Sequence, residues 1–398
     1  MFLVTQEIFL ARSLEICSEL QCAKKITFFC GAGVSTSAGI PDFRSENGLY
    51  SRTFGHSGTS LSGRELFEGS TLESVEKIAV LNRVAVDIRM FCRRATSTIF
   101  HQTVAALNSH GQLQQCYTQN IDGMQTRDFP ELVELVHELH GSNQRLRCNL
   151  CGTLCMLPVD SLDEQLKKTG LVPCPNCKSV DEEAQARKKR SRPIGHLIPD
   201  LLYNNQQLDM SQGGTGLAAQ LESDSSVDLL IIVGTSLKTS GAFYLVKRMA
   251  QATHEIGGAV VYVDRANASQ RLASFVDIHL CVDIEVWSAH MMSTVGVSVG
   301  AKSRQLRDRL TSLERRIASP GTFEPGLSFS PMQPGDQHSS DVPLVVLLLH
   351  KRDERDCART FQETLVSAVS EVGVQVGNPS TLRSTPPIIA PPSLHSAA

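Results

Sequence analysis

Two pairs of cysteines have the spacing of metal ligands. Two residues separate Cys148 from Cys151 and Cys174 from Cys177, and 22 residues lie between the pairs. Thiolates so spaced grip one ion from a tight turn, and two such turns complete a tetrahedron. Four thiolates leave no open coordination position, so the expected ion is a structural Zn²⁺ rather than a catalytic one. Four free thiols in a loop, or a redox Cys-x-x-Cys, are the alternatives, and two pairs at once argue against both. Cys155 has no partner at that spacing. A second kind of chemistry belongs to residues 31–50, GAGVSTSAGIPDFRSENGLY. Glycines at Gly31 and Gly33, around Ala32, let backbone N–H groups approach a pyrophosphate. Taken alone the pattern is equally a tight strand-to-helix turn, because a third glycine is not at the dinucleotide-fingerprint spacing. Arg44 can add a bidentate, charge-assisted contact. Pro41 sends Asp42 and Phe43 onward extended, over a ligand.

Those residues need a frame. The run Lys25–Phe29 feeds the glycine turn as a buried strand. Similar runs stand at Gln115–Thr118, Leu132–Val136, Leu229–Val233, Ala259–Val263 and Ile278–Val282, with helical patterns such as Ser74–Thr96 and Gly241–Thr253 between them. Strands alternating with helices predict an α/β fold on a mostly parallel sheet, with ligands at the carboxyl ends of the strands. Gly31-Ala32-Gly33, Thr118-Gln119-Asn120 and Gly234-Thr235-Ser236 all fall at that edge. Residues 146–192 break the rhythm with five cysteines and a basic end, Arg187–Arg192, so they read as an inserted module. The first residues predict an amphipathic helix rather than a signal peptide, since Glu7 and Glu15 interrupt the apolar pattern. Leu306, Leu310, Leu313 and Ile317 make one stripe of a helix within 291–318. Residues 319–343 read as a linker, 344–377 as a strand and helix, and 378–398 as a disordered tail.

Composition sets the outer limits. Hydrophobic residues make up 41% of the 398, which excludes a chain disordered throughout. A formal net charge of −3 gives no strong direct nucleic-acid signal and leaves room only for a local basic patch. No apolar run approaches the roughly 20 residues of a membrane span. The 12 cysteines suggest thiols and metal ligands more than disulfides.

Five motifs in order resemble the sirtuin family over about residues 20–290. They are Gly31-Ala32-Gly33-Val34-Ser35 through Ala38-Gly39-Ile40-Pro41-Asp42-Phe43-Arg44; Thr118-Gln119-Asn120-Ile121-Asp122; His140-Gly141-Ser142; Gly234-Thr235-Ser236-Leu237; and Asp283 to Trp287. Gly195 to Tyr203 is most similar to the nuclear, histone-directed fungal branch. The resemblance implies a Rossmann-like NAD-binding domain in two pieces, 20–145 and 193–290, with a helical small domain at about 50–110 and a zinc module at 146–192. It implies NAD-dependent removal of acetyl groups from protein lysines, giving nicotinamide and O-acetyl-ADP-ribose. His140 is the implied base, suited by a pKa near the working pH. Asn120, Ile121 and Asp122 would hold the ribose and nicotinamide amide, and Gln119 the ribose hydroxyls. Gly31, Ala32, Gly33, Ser35, Ala38, Gly39, Ile40, Asp42 and Arg44 would line the cofactor loop, with Phe43 shielding the ribose carbon. Thr235 and Ser236, after Gly234, would meet phosphate and ribose, and Ile284 the adenine side. Asp264 would face the adenosine ribose, or equally cap the next helix at Ala266.

The chain departs from the family pattern at the substrate strand. Pro199 is followed by Asp200-Leu201-Leu202-Tyr203-Asn204, one residue short, with Asn204 where glycine is usual. The expectation is that Leu201–Tyr203 pairs with the substrate backbone and that Tyr203 and Leu202 grip the lysine stem. Val282 likewise replaces a glycine before Asp283. A desuccinylase Tyr-x-x-Arg pair is found only at Tyr262 and Arg265, on the wrong side. Mono-ADP-ribosyl transfer and a weakly catalytic, chromatin-bound NAD sensor remain as competing readings. Arg187–Arg192 is either a nuclear-localisation or chromatin contact or a solvated face. The expected partners are an acetylated histone and chromatin complexes, in the nucleus.

Overall fold

The computed structural model describes residues 1–204 and 227–295, together with 310, 311, 313–315 and 317. The chain divides into two compact units, Met1–His350 and Lys351–Ala398, and the second lies outside the described residues. So do the expected linker at 319–343, the strand and helix of 344–377, and the tail.

Eleven strands are described: β1 (Phe2–Thr5), β2 (Ile26–Cys30), β3 (Thr53–His56), β4 (Thr59–Ser62), β5 (Leu113–Thr118), β6 (Val136–Glu138), β7 (Gly141–Cys148), β8 (Leu197–Leu201), β9 (Leu229–Val233), β10 (Ala259–Val263) and β11 (Ile278–Cys281). Seven form one sheet in the order β1-β11-β10-β9-β2-β5-β6, and all its pairings are parallel. Strands β2, β9 and β10 are buried at every position, as expected of a parallel sheet covered on both faces. Phe28, Ile231 and Val261 point to one face, where helices Gln6–Leu20, Ile99–Ser109 and Ile284–Thr294 supply Phe9, Phe100 and Trp287. Phe29, Ile232 and Val260 point to the other, against Val246 and Ala250 of helix Ser240–Glu255. From β2 the chain builds outward through β5 and β6 in one direction and through β9, β10 and β11 in the other. The strand order therefore reverses between β2 and β9, where doubly wound sheets bind ligands.

Two smaller bodies attach to this sheet. Helix Val75–Arg94, the β3–β4 hairpin and Leu49, Leu66 and Tyr203 enclose a separate apolar cluster. The inserted module holds helices Asp160–Thr169 and Pro175–Ala186 beside the antiparallel β7–β8 pair. Leu310 and Leu313 are helical and buried in the main core, with Ile317 packed against it.

Three local expectations change. The N-terminal helix starts only at Gln6, because Phe2–Thr5 pairs with Ile278–Cys281 as an edge strand, burying Val4. Leu132 sits in a tight helical turn begun by Pro130, so the strand expected at Leu132–Val136 begins at Val136. The strand expected at Leu201–Tyr203 lies at Leu197–Leu201, paired with β7.

Candidate functional site

The loops that leave β2 and β9 touch. Gly31 N–H donates to Val233 O at 3.0 Å and Gly33 N–H to Gly234 O at 2.9 Å. A Cβ on Gly31 would lie 2.5 Å from the Thr235 Cβ, and one on Gly33 2.7 Å from the Gly234 Cα. These glycines therefore serve the contact between two loops, and their own N–H groups are spent there. The Gly31 and Gly33 N–H groups are therefore not among the backbone amides left to approach a pyrophosphate. Gln119 completes the junction: its Nε2 donates to Thr235 Oγ1 at 2.7 Å, and its backbone N–H to Cys30 O at 2.9 Å. Ser236 is exposed at the same edge.

Behind that junction lies a concavity lined by Ala32, Ser35, Ile40, Phe43, Asn120, Ile121 and Asp122, with Leu49 and Ile88. Ser35 Oγ donates to Asp122 Oδ2 at 2.8 Å, and Asn120 Nδ2 to Ser35 Oγ at 3.3 Å. Met124 N–H holds the other Asp122 oxygen at 3.0 Å. Asn120 is 6% exposed, and its Oδ1 is buried without a partner among the described residues. A buried acceptor left unpaired is destabilising unless a ligand or water meets it. Beside a carboxylate, it suits the N–H and O–H groups of a nicotinamide riboside, so these residues fit NAD. Leu49 and Ile88 were not singled out in sequence, because their only signal is an apolar position in a core pattern. Gly39, at φ +82°, ends the helical turn Ala32–Ala38. The segment then folds back: Asp42 Oδ1 accepts the N–H groups of Arg44 and Ser45 at 2.7 Å each. Phe43 stands edge-on to Tyr50 and Phe67, and the exposed Arg44 stacks over Tyr50.

His140 follows β6. Its Nδ1 lies 2.9 Å from the Gln119 carbonyl oxygen and donates to it, which assigns the proton to Nδ1 and the lone pair to Nε2. Burial lowers its pKa, and Arg44 acts in the same direction, while the Gln119 carbonyl opposes both. The neutral, proton-accepting form is therefore favoured. Gly141, at φ +77°, lets the chain pass Asp200, whose oxygen would lie 2.1 Å from a Cβ there. His137 is engaged elsewhere, 2.7 Å from Gln115 Oε1 and stacked on Tyr117.

The substrate side differs from expectation. Leu202 N–H donates to His140 O at 2.9 Å and Asn204 N–H to Phe67 O at 2.7 Å, while Gly69 N–H donates to Asn204 O. Much of the backbone expected to pair with substrate is thus paired within the protein. Tyr203 is 1% exposed and donates to Pro199 O at 3.0 Å, so its ring is core, not a tunnel wall. A shortened segment brings its aromatic ring inward because the side chains of extended backbone alternate. Residues 205–226 lie outside the described residues.

On the adenosine side, Asp264 Oδ1 accepts Ala266 N–H at 2.8 Å within a bend, and burial raises its pKa. No helix starts at Ala266, since the next helical turn, Gln270–Ser274, is capped by Ser269, which corrects the capping expectation. Ile284 is the first residue of its helix and packs against the main core, next to the fully buried Val282. Asp283 caps that helix through Glu285 and Val286 N–H.

In the inserted module the sulfur atoms of Cys148, Cys151, Cys174 and Cys177 all lie within 4.8 Å of one another, and Cys155 is not among them. The Cys148–Cys177 and Cys151–Cys174 sulfurs are each 3.8 Å apart. A tetrahedron with Zn–S bonds of about 2.3 Å has edges of about 3.8 Å, so the set fits one zinc ion. Gly195, which the sequence marked only as the start of a branch motif, packs against the metal ligands: a Cβ there would lie 2.5 Å from the Cys148 sulfur. Among the described residues, no helix is long and apolar enough to cross a membrane.

Residues 31–241, more than half the chain, match the Sir2 family model. The chain is 30% identical over 280 residues to the NAD-dependent protein deacetylase hst4 of Schizosaccharomyces pombe, covering 68% of this chain and 66% of that one. It is 29% identical over 285 residues to the NAD-dependent histone deacetylase HST4 of Saccharomyces cerevisiae, covering 67% and 75%. Against HST3 of Candida albicans, also named an NAD-dependent histone deacetylase, identity is 30%, covering 68% and 60%. The chain thus spans about two thirds of these relatives' own length. Among solved structures, a Sir2 complex with a p53 peptide and NAD+ is similar at a TM-score of 0.53 and 21% identity, over 71% of this chain and 98% of that one. That likeness shows the fold.

Proposed function

The chain belongs to the Sir2 family, and on that premise we propose that it is an NAD-dependent protein-lysine deacetylase acting on histones in the nucleus. One observation carries the reading. His140, with Nδ1 committed to the Gln119 carbonyl, keeps Nε2 as acceptor, and Gln119 leads directly into Asn120-Ile121-Asp122. NAD, when bound, supplies a ribose carbon whose nicotinamide can leave and whose hydroxyls can take up the acetyl group. Asn120 Oδ1 would accept a hydrogen bond from the bound cofactor, while Ser35 and Met124 hold the Asp122 carboxylate where it would receive the carboxamide N–H. Phe43, braced by Tyr50 and Phe67, covers the reacting carbon and excludes water. His140 Nε2 would take a proton from the ribose hydroxyls of bound NAD, and the Gln119 carbonyl would steady the charged ring. Cys148, Cys151, Cys174 and Cys177 hold a structural zinc away from this chemistry. The histone is supported by the names of the Saccharomyces cerevisiae and Candida albicans relatives, and the nucleus follows from where histones reside.

The paired backbone at Leu202 and Asn204 favours a second reading, in which NAD is cleaved without efficient acetyl transfer. An acetylated histone peptide incubated with NAD separates the two. The expected result is nicotinamide and O-acetyl-ADP-ribose in equal amounts, both lost in His140→Ala. Nicotinamide release without O-acetyl-ADP-ribose would overturn deacetylation in favour of ADP-ribosyl transfer.

A further inference from the structure

The basic run that follows the zinc module's last helix is held in a defined shape. Helix Pro175–Ala186 ends with Arg187 N–H on Glu183 O and Lys189 N–H on Ala184 O. Lys188 turns the chain at φ +55°, a conformation that side-chain-bearing residues seldom adopt. Asp181, only 6% exposed, then fastens the far end: one carboxylate oxygen accepts Ser191 Oγ–H at 2.9 Å and Arg192 N–H at 2.6 Å. Gln185 Nε2 holds the other oxygen at 2.6 Å. A merely solvated run needs no buried carboxylate to pin it.

The side chains show the opposite pattern. Arg187, Lys188, Lys189, Arg190 and Arg192 are all exposed, and none has an ion pair or side-chain hydrogen bond among the described residues. The carboxylates nearest in sequence are Glu182 and Glu183, and Glu182 lies 3.9 Å from Lys178. Six cations thus stand against three carboxylates over residues 178–192, and one of the three, Asp181, is turned inward. The run Arg187–Arg192 contains no apolar residue, so it offers neither a wedge for a bilayer nor an anchor for a peptide groove. It offers charge alone. Such a surface gains affinity by releasing counterions, and gains most from the partner with the highest charge density.

We infer that Arg187–Arg192 is a docking surface for the phosphate backbone of duplex DNA, read without regard to sequence. This is separate from the acyl-lysine site and requires neither NAD nor acetyl-lysine. The overall charge of −3 confines binding to this patch.

The test is fluorescence anisotropy with a labelled random duplex of about 20 base pairs, titrated at several salt concentrations. Contact by four or five cations predicts a slope of log K against log salt near −4, hence a loss of roughly 150–500-fold between about 50 and 200 mM salt. Arg187→Gln, Lys188→Gln, Lys189→Gln and Arg190→Gln together should flatten the slope by about 3–4. A control variant makes the same change in net charge at exposed positions elsewhere: Lys24→Gln, Arg94→Gln, Lys247→Gln and Arg248→Gln. It should leave the slope nearly unchanged. Melting temperature and zinc content should match the parent in both variants, since all eight side chains are exposed. Equal slopes for parent and arm variant would overturn the inference, as would an equal loss in the control. Binding to phosphatidylserine vesicles but not to DNA would also overturn it. Because the assay contains no NAD or acetylated peptide, its failure leaves the deacetylase reading untouched.

Discussion

Arg89 gives the most exacting test of how the site is held. It lies on helix Val75–Arg94, is fully buried, and ties three parts of the chain together. Its Nε and Nη2 lie 3.0 and 2.7 Å from Asp163 Oδ1, on a helix of the inserted module. Its Nη1 donates to the Asn143 carbonyl and to Asn143 Oδ1. Asn143 N–H in turn donates to Ile121 O at 3.2 Å, beside Asn120 and Asp122. Arg89→Met removes all of the guanidinium donors at once. Asp163, 8% exposed, would keep only the partly exposed Arg93. Removing one partner of a buried pair is destabilising by about 3–5 kcal/mol. Adding Asp163→Leu removes the stranded charge and leaves only the unpaired Asn143 acceptors, a residual loss of about 1–3 kcal/mol. The double variant should therefore be more stable than the single one, a reversal that additive effects cannot produce. Urea unfolding followed by circular dichroism measures this through the midpoint at constant slope. In both variants the KM for NAD should rise, because Asn143, whose N–H holds the Ile121 carbonyl, is no longer fixed by Arg89. A single variant losing less than about 1 kcal/mol, or a double variant losing more than the single, would refute the reasoning.

Two further outcomes follow from the site. Burial holds the His140 pKa below its usual 6.5, so the imidazole stays neutral at pH 6.5 and gains its proton only as pH falls further. The acid limb of kcat/KM should then have its midpoint below 6.5, and a midpoint at or above that value would remove burial as the controlling influence. Cys174→Ser should release the metal and unfold the inserted module, because structural zinc contributes directly to folding. Metal analysis should find one zinc per parent chain and less than one in the variant, and a zinc-free parent would disprove the site.

The sequence by itself determined the features that depend on near neighbours. Two-residue cysteine spacings bring thiolates into one turn, and the largely apolar runs at Lys25–Phe29, Leu229–Val233 and Ala259–Val263 read as strands, which the structure buries at every position over Ile26–Cys30, Leu229–Val233 and Ala259–Val263. The tertiary structure decided whatever needed a distant partner. Phe2–Thr5 is a strand because Ile278–Cys281 lies beside it, far along the chain. The glycines of Gly31-Ala32-Gly33 are needed because Gly234 and Thr235 press against them, which no local pattern records. Ser35 comes from one motif and Asn120 and Asp122 from another, and only the sheet order, with β2 beside β5, lets their side chains share one hydrogen-bond chain. Tyr203 turned inward because pairing at His140 and Phe67 set the register of its segment. Arg89 carries no signal in the sequence beyond its place in the helical pattern Ser74–Thr96, and its role comes from Asp163 and Asn143, which close over it from distant parts of the chain. Spacing along a chain specifies chemistry within a turn or two, whereas burial and register are properties of two surfaces that meet.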